Sequence, residues 1–352
     1  MRTAPAIALT FTLLAGQPAP PPFYTDKADL LYSLGSAGER HIVRKRSEWE
    51  RRRRHILANM EMVMGPLAAK SSAPLDVVRL EETRLESFTR IKLTYVSEGS
   101  DRVPAYLLIP HERKKRLPAM LCLHQTTRIG KAEPVGLGAK PNLHYAKELA
   151  ERGYVTLAPD YPNFGDYKVD PYAMGYASAT MKGIVNHRRA VDLLASLPEV
   201  DARRIGAIGH SLGGHNALFV AVFEDRIRAV VTSCGFNSFY GYYGGNLAGW
   251  SHQGYMPRIA AVFGLSPAKM PFDFTEVLGA IAPRPVFVNA PLNDANFEVG
   301  AVRDCVRAAG PVYEKVFGMR DRLVAVHPDA GHDFPTEVRR QGYEFLDRWL
   351  KR

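Results

Sequence analysis

The run Gly209-His210-Ser211-Leu212-Gly213-Gly214 constrains this chain more than any other stretch. The apolar Ile205-Gly206-Ala207-Ile208 precedes it, and Asn216-Ala217-Leu218-Phe219-Val220-Ala221-Val222 follows. That pattern reads as a strand turning sharply into a helix with a serine at the apex. The apex residue of such an elbow takes a strained backbone conformation, so its neighbours must be small to avoid clashes. The turn lifts the hydroxyl of Ser211 above the sheet, and the backbone N–H of Leu212 points into the same space. Short apolar strands alternate with helical stretches elsewhere in the chain, which argues for a mostly parallel sheet covered on both faces.

A serine in this setting calls for a carboxylate and then a histidine, in that order, on loops after later strands. A strand over Ile227 to Cys234 leads into Gly235-Phe236-Asn237, which holds no carboxylate. The next strand, Arg284 to Asn289, runs into Ala290-Pro291-Leu292-Asn293-Asp294, where Asp294 is the first acid. Arg322 to Val326 reads as the last strand and precedes Pro328-Asp329-Ala330-Gly331-His332-Asp333. Of the eleven histidines, His327 and His332 lie beyond Asp294. His327 closes the strand, whereas His332 sits in the loop, where an imidazole can swing over the serine. The expected triad is Ser211, Asp294 and His332. Asp294 is also placed to cap a helix starting near Asn296-Phe297-Glu298, a role compatible with catalysis, and Glu298 is the reserve acid. A metal pair of His332 with His327, helped by Asp329 and Asp333, is the competing reading. No other His/Cys cluster completes its ligand set, so neither a metal nor another cofactor is expected.

A serine hydroxyl is a poor nucleophile at neutral pH and needs a base within hydrogen-bond reach. The triad supplies one: His332 takes the proton while Asp294 fixes its tautomer and stabilises the imidazolium. The oxyanion that forms needs donors. Leu212 N–H is the first. The second is expected from the loop after the strand Ala119 to Leu123, at Gln125 or Thr126, which follow His124.

The layout of residues 84 to 350 resembles the α/β-hydrolase superfamily. It is most similar to the branch holding dienelactone hydrolases, acetyl xylan esterases and the catalytic domains of prolyl oligopeptidases. The elbow carries this resemblance, together with the His124 loop, Leu157-Ala158-Pro159-Asp160-Tyr161-Pro162, Pro291-Leu292-Asn293-Asp294 and Gly331-His332-Asp333-Phe334-Pro335. It implies an α/β-hydrolase fold with a mostly parallel eight-stranded sheet, and a serine carboxylic ester hydrolase. The chain departs from its relatives in three respects. Dienelactone hydrolases use cysteine where Ser211 stands. Many esterases carry a glycine run where this chain has Gln125-Thr126-Thr127. Prolyl oligopeptidases carry a propeller that about 80 preceding residues cannot build. A serine peptidase and a binding protein on the same scaffold are the alternative readings.

Three regions follow from composition. Residues 1–16 look like an export signal, with Arg2, an apolar run from Ala4 to Leu14 and a small-residue exit. The apolar run is shorter than the ~20 residues that span a bilayer, so no integral membrane association is expected. The protein is expected outside the cytoplasm. Residues 17–80 form an extension in which Trp49, Ile56, Leu57, Met60 and Met64 recur at helical spacing. Arg44-Lys45-Arg46 and Arg51-Arg52-Arg53-Arg54 fall in the same stretch and carry much of the net charge of +10. This is an amphipathic helix docked by its apolar stripe with a solvated basic face. No binding motif accompanies the charge, so nucleic acid is not an expected partner. Residues 81–352 are the catalytic domain, opened by a hairpin of Arg90 to Val96 with Val103 to Ile109. Cys122, Cys234 and Cys305 are expected as buried free thiols.

An insertion over residues 235–280, after the sixth strand, is expected to cap the serine. It is rich in aromatic residues interleaved with amides and glycines, including Tyr240 and Trp250. Such surfaces suit sugar rings or aromatic acyl groups, and the competing reading is that they pack the cap onto the body. Tyr161, Asp166 and Tyr167 are further candidates for the pocket, whereas Asp160 is expected to hold its loop in shape. The expected partner is a small-molecule or carbohydrate ester.

Overall fold

The computed structural model describes residues 20–112 and 115–351. The expected export signal lies outside them. The extension folds first, as a small hairpin of β1 (Tyr32–Leu34) and β2 (Arg40–Ile42) followed by helix α1 (Arg46–Met64). The main sheet begins with β3 (Val78–Arg84), β4 (Phe88–Glu98), β5 (Asp101–Pro110) and β6 (Leu117–Leu123). Helix α2 (Tyr145–Glu151), β7 (Val155–Pro159), α3 (Ala179–Ser196), β8 (Val200–His210), α4 (Leu212–Phe223) and β9 (Ile227–Ser233) come next. The chain then crosses the insertion with α5 (Arg258–Ala261) and α6 (Phe274–Ile281). It ends with β10 (Val286–Asn289), α7 (Val299–Pro311), β11 (Leu323–Val326) and α8 (Thr336–Leu350).

The strands form one sheet in the order β11-β10-β9-β8-β6-β7-β5-β4-β3. The pairings from β7 through β11 are parallel, and β5, β4 and β3 add antiparallel strands at the other end. The sheet has nine strands rather than the expected eight. The unexpected strand is β3, whose seven residues are all exposed. Its alternation of apolar and polar positions stops after Val78-Arg79-Leu80-Glu81 and is too short to mark a strand.

Alternation within the central strands separates two apolar layers. Ala119, Leu121, Ile205, Ala207, Val286 and Val288 face one side, packed with residues of α1, α3, α4, α6 and α7. Met120, Cys122, Ile208, Val231 and Phe287 face the other, against α2 and α8. The three cysteines are free and buried, as expected. No helix among the described residues is long and apolar enough to cross a membrane.

Helix α1 docks as expected through Trp49, Ile56, Met60 and Met64, with Leu57 at the margin. The solvated basic face needs correction at two positions, Arg53 being half-buried and donating to the Ala280 and Val222 carbonyls. Arg52, three residues after Trp49 and four before Ile56, lies on the apolar stripe itself and is fully buried. Its Nη2 donates to Glu276 Oε1 at 2.6 Å, and its guanidinium stacks 3.2 Å over the Tyr24 ring. The extension is thereby tied to α6 at the base of the insertion.

Candidate active site

Ser211 stands between the end of β8 and the first residue of α4, with φ 55° and ψ −118°. That strained apex persists because its surroundings leave it no alternative. Its N–H donates to the Ser233 carbonyl at 2.8 Å, which anchors the turn to the neighbouring strand. The flanking glycines answer a steric demand. A Cβ on Gly209 would lie 2.1 Å from the Gly213 carbonyl oxygen, and one on Gly213 would lie 1.9 Å from that of Leu123. The N-terminus of α4 therefore packs directly against the end of β6, and its partial positive charge faces the space above Ser211.

The other two triad candidates meet as expected. His332 Nδ1 lies 2.9 and 3.0 Å from the two carboxylate oxygens of Asp294. Asp294 Oδ1 also accepts the N–H groups of Asn296 and Phe297, so capping and orientation are combined in one carboxylate. Burial by itself would raise the Asp294 carboxyl. The His332 hydrogen bond and charge, with the two amides, outweigh burial and hold it below the usual range. Glu298, the reserve acid, is occupied at the N-terminus of α7, where it accepts from Gly300 and Ala301. His327 turns away and donates Nδ1–H to the Ala290 carbonyl.

Ser211 and His332 line one cavity of about 840 Å³, together with Leu212, Gln125, Thr126 and Trp250. The Gln125 side chain turns inward and donates to Glu133. His124 holds the loop from behind: its Nδ1–H donates to the Gln125 carbonyl at 2.6 Å and its Nε2 accepts from Tyr161 N–H. Burial lowers the pKa of this imidazole, and a ring nitrogen that accepts an N–H carries no hydrogen of its own. In a trans peptide the carbonyl and the following N–H point in opposite directions, so the Thr126 N–H faces away from His124.

Residues 103–345 match the Dienelactone hydrolase family. The chain belongs to that family. It is an esterase-type hydrolase of the dienelactone hydrolase family, on an α/β-hydrolase fold. Among curated proteins it is similar to YtaP of Bacillus subtilis (strain 168), with 27% identity over 301 residues, covering 82% of this chain and 96% of that one. Among solved structures it is similar to a glucuronoyl esterase from Solibacter usitatus. That comparison has a TM-score of 0.73 at 19% identity and covers 93% of this chain and 98% of the other. An acetyl xylan esterase from Paenibacillus sp. R4 aligns with a TM-score of 0.57 at 18% identity, over 79% of this chain and 90% of that one.

Two expected pocket residues of this dienelactone hydrolase family member lie elsewhere. Tyr161 is buried behind the cavity, where its hydroxyl donates to the Gly254 carbonyl at 3.0 Å and braces the insertion. Tyr240 is 59% exposed and lines a separate depression with Thr25 to Ala28 of the extension. Asp166 and Tyr167 are likewise engaged in structure, with Lys131 and Asp101 respectively. Asp160 holds the Lys131 turn, as expected.

The insertion does cover the serine. Tyr242, Trp250, His252 and Tyr255 line the cavity, and the Tyr255 hydroxyl lies 3.3 Å from Thr126 Oγ1. Sequence reasoning missed Tyr255, as well as Lys140, Asn142 and His210, which also line the cavity. Lys140 and Asn142 precede α2, in a turn whose sequence carries no catalytic motif. The helix starts at Tyr145, and the turn before it supplies part of the cavity wall.

The cluster of His332 and Asp294 includes Cys234, whose sulfur lies within 4.8 Å of their ligating atoms. Burial pushes the thiol well up, and the Asp294 charge adds to that. A protonated thiol that donates to the Asp333 carbonyl is a poor metal ligand, so this cluster fits an orienting role for Asp294 better than a metal site.

Proposed function

We propose that this protein is a serine hydrolase that cleaves carboxylic esters through an acyl-enzyme, with Ser211, His332 and Asp294 as its triad. One observation carries the reading. A strained serine at a helix N-terminus shares a cavity with an imidazole whose far nitrogen is held by a buried carboxylate.

Ser211 Oγ attacks the ester carbonyl carbon as its proton passes to His332 Nε2. The Nδ1–H of the resulting imidazolium stays bonded to Asp294, which offsets the new charge. The oxyanion is received by Leu212 N–H, which has no earlier turn of α4 to serve, and by Thr126 N–H. Collapse of the tetrahedral species breaks the bond to the alcohol oxygen, which takes the proton from His332 Nε2. Water then enters by the same base, forms the acid and regenerates Ser211.

The substrates we propose are short or aromatic acyl esters, including those of carbohydrates, and we place the protein outside the cytoplasm. Support comes from a cavity that joins aromatic faces (Trp250, Tyr242, Phe297) to amides and hydroxyls (Asn142, Asn296, Thr126). By name, the acetyl xylan esterase of like fold acts on a short acyl ester of a carbohydrate, and the glucuronoyl esterase on an ester of a sugar acid. Comparing 4-nitrophenyl acetate with longer acyl esters and with peptide 4-nitroanilides tests the reading. Ester turnover that declines with chain length and far exceeds amide turnover is expected. Comparable amide turnover would favour a peptidase.

A further inference from the structure

Ser233 ends β9 beside the nucleophile strand, and its side chain decides where His210 carries its hydrogen. Asn289 Nδ2 lies 2.8 Å from Ser233 Oγ and 2.9 Å from the Asp333 carbonyl oxygen. A carbonyl only accepts, so the Asn289 atom facing it is the amide nitrogen, and Ser233 Oγ receives the other amide hydrogen. The hydroxyl keeps one hydrogen to give. His210 Nδ1 lies 2.9 Å away, whereas the Cys234 sulfur is a weak acceptor at 3.9 Å. Nδ1 of His210 therefore accepts. Burial, reinforced by the charge of His332, holds this imidazole at about 3, so it is neutral at any working pH. A neutral ring that accepts at Nδ1 carries its hydrogen on Nε2.

That Nε2–H turns away from Ser233 and has no hydrogen-bond partner among the described residues. His210 lines the catalytic cavity, and its ring centroid is 4.9 Å from that of His332. His332 hands a proton to the departing alcohol, so a donor beside it faces the alcohol half of the ester. Lys140, whose charge reaches His210, lines the same cavity, whereas the Asn142 amide beside it is engaged with Asp333 and Arg339. The His210 Nε2–H and the Lys140 ammonium give that side of the cavity an appetite for oxygen.

We propose that His210 is a specificity-determining residue that presents Nε2–H to an oxygen of the alcohol half, favouring esters of polyhydroxylated alcohols over those of simple alkanols. This rests on the serine esterase reading above. The test compares kcat/KM for a methyl glucoside acetate and for ethyl acetate in the wild type, His210→Phe and His210→Gln. Phe keeps the ring and loses the donor, and Gln keeps a donor near the Nε2 position. The expected result is an approximately tenfold fall in the sugar-to-alkyl ratio in His210→Phe, recovered at least in part by His210→Gln. A ratio unchanged in His210→Phe, or a parallel loss on both esters, overturns the proposal. Nitrogen NMR of the wild type tests it without any variant: a hydrogen found on His210 Nδ1 overturns it. A folded wild type that hydrolyses neither ester overturns the esterase reading, and the role of His210 with it.

Discussion

His332 Nδ1 is bonded to both carboxylate oxygens of Asp294, at 2.9 and 3.0 Å, although the two residues are 38 positions apart on loops after different strands. The parallel pairing of β10 with β11 makes this possible, because it brings both strand ends to the same edge of the sheet. The pairing fixes which imidazole nitrogen is free to face Ser211, and several expectations follow from it.

Asp294→Asn should retain the fold and lose about 10⁴-fold in kcat, since an amide in place of the carboxylate leaves the imidazole in the wrong tautomer and the imidazolium unsupported. Glu298→Gln should leave kcat within a factor of about two and lower stability by ~0.5–2 kcal/mol, as expected for a helix cap. Steady-state rates on an aryl ester, with denaturant titrations of both variants, check the pair. Equal losses of kcat would mean that the acid has been misassigned.

Gly213→Ala should abolish the elbow. Its Cβ would lie 1.9 Å from the Leu123 carbonyl oxygen, which is backbone and cannot swing aside. Insoluble expression or a complete loss of ester turnover is expected. A soluble variant of wild-type activity would show that α4 and β6 are not packed as described.

The legible and the hidden parts of this protein divide by whether the residue type matched its surroundings. The elbow, the order Ser211, Asp294, His332 and the stripe of α1 all place residues where their chemistry expects them. Arg52 is on the stripe by spacing, yet a charge there contradicts the stripe, and its partner Glu276 is 224 residues away. Strand β3 has no buried face to announce it. Tyr161 and Tyr240 are aromatic residues near the right loops, but backbone direction sends one behind the cavity and the other to the surface. Tyr255 and His210 enter the site through loop and ring orientations that no periodicity encodes.

Arg52→Ala should cost about 3–5 kcal/mol, because Glu276 would remain buried without its cation. Arg51→Ala, on the exposed side of the same helix, should change stability by no more than ~0.5 kcal/mol. Chemical denaturation of the two variants separates a buried tie from a solvated charge. Equal and small effects would mean that the extension is not anchored through Arg52.

Acidification should destabilise the fold below neutrality. Burial lowers His187, His210 and His215 to about 3 each. Between there and the ordinary value near 6.5, the unfolded chain binds protons that the folded one refuses, so stability is lost as pH falls through that window. Asp273, raised to about 7 by burial, works the other way between about 4 and 7. Three histidines against one carboxyl leave a net slope of about 2 kcal/mol per pH unit. The urea midpoint should therefore fall from pH 7 to pH 5. A midpoint that rises over that interval would contradict the burial of these imidazoles.

The central claim is that Ser211 is the nucleophile, and covalent capture tests it most directly. The folded protein would be treated with a fluorophosphonate, digested and mapped by mass spectrometry, beside Ser211→Ala and with 4-nitrophenyl acetate turnover followed in parallel. The account predicts one adduct, on Ser211, with turnover lost in step with labelling and both absent from the variant. Labelling at another residue, or aryl ester turnover preserved in Ser211→Ala, would contradict it.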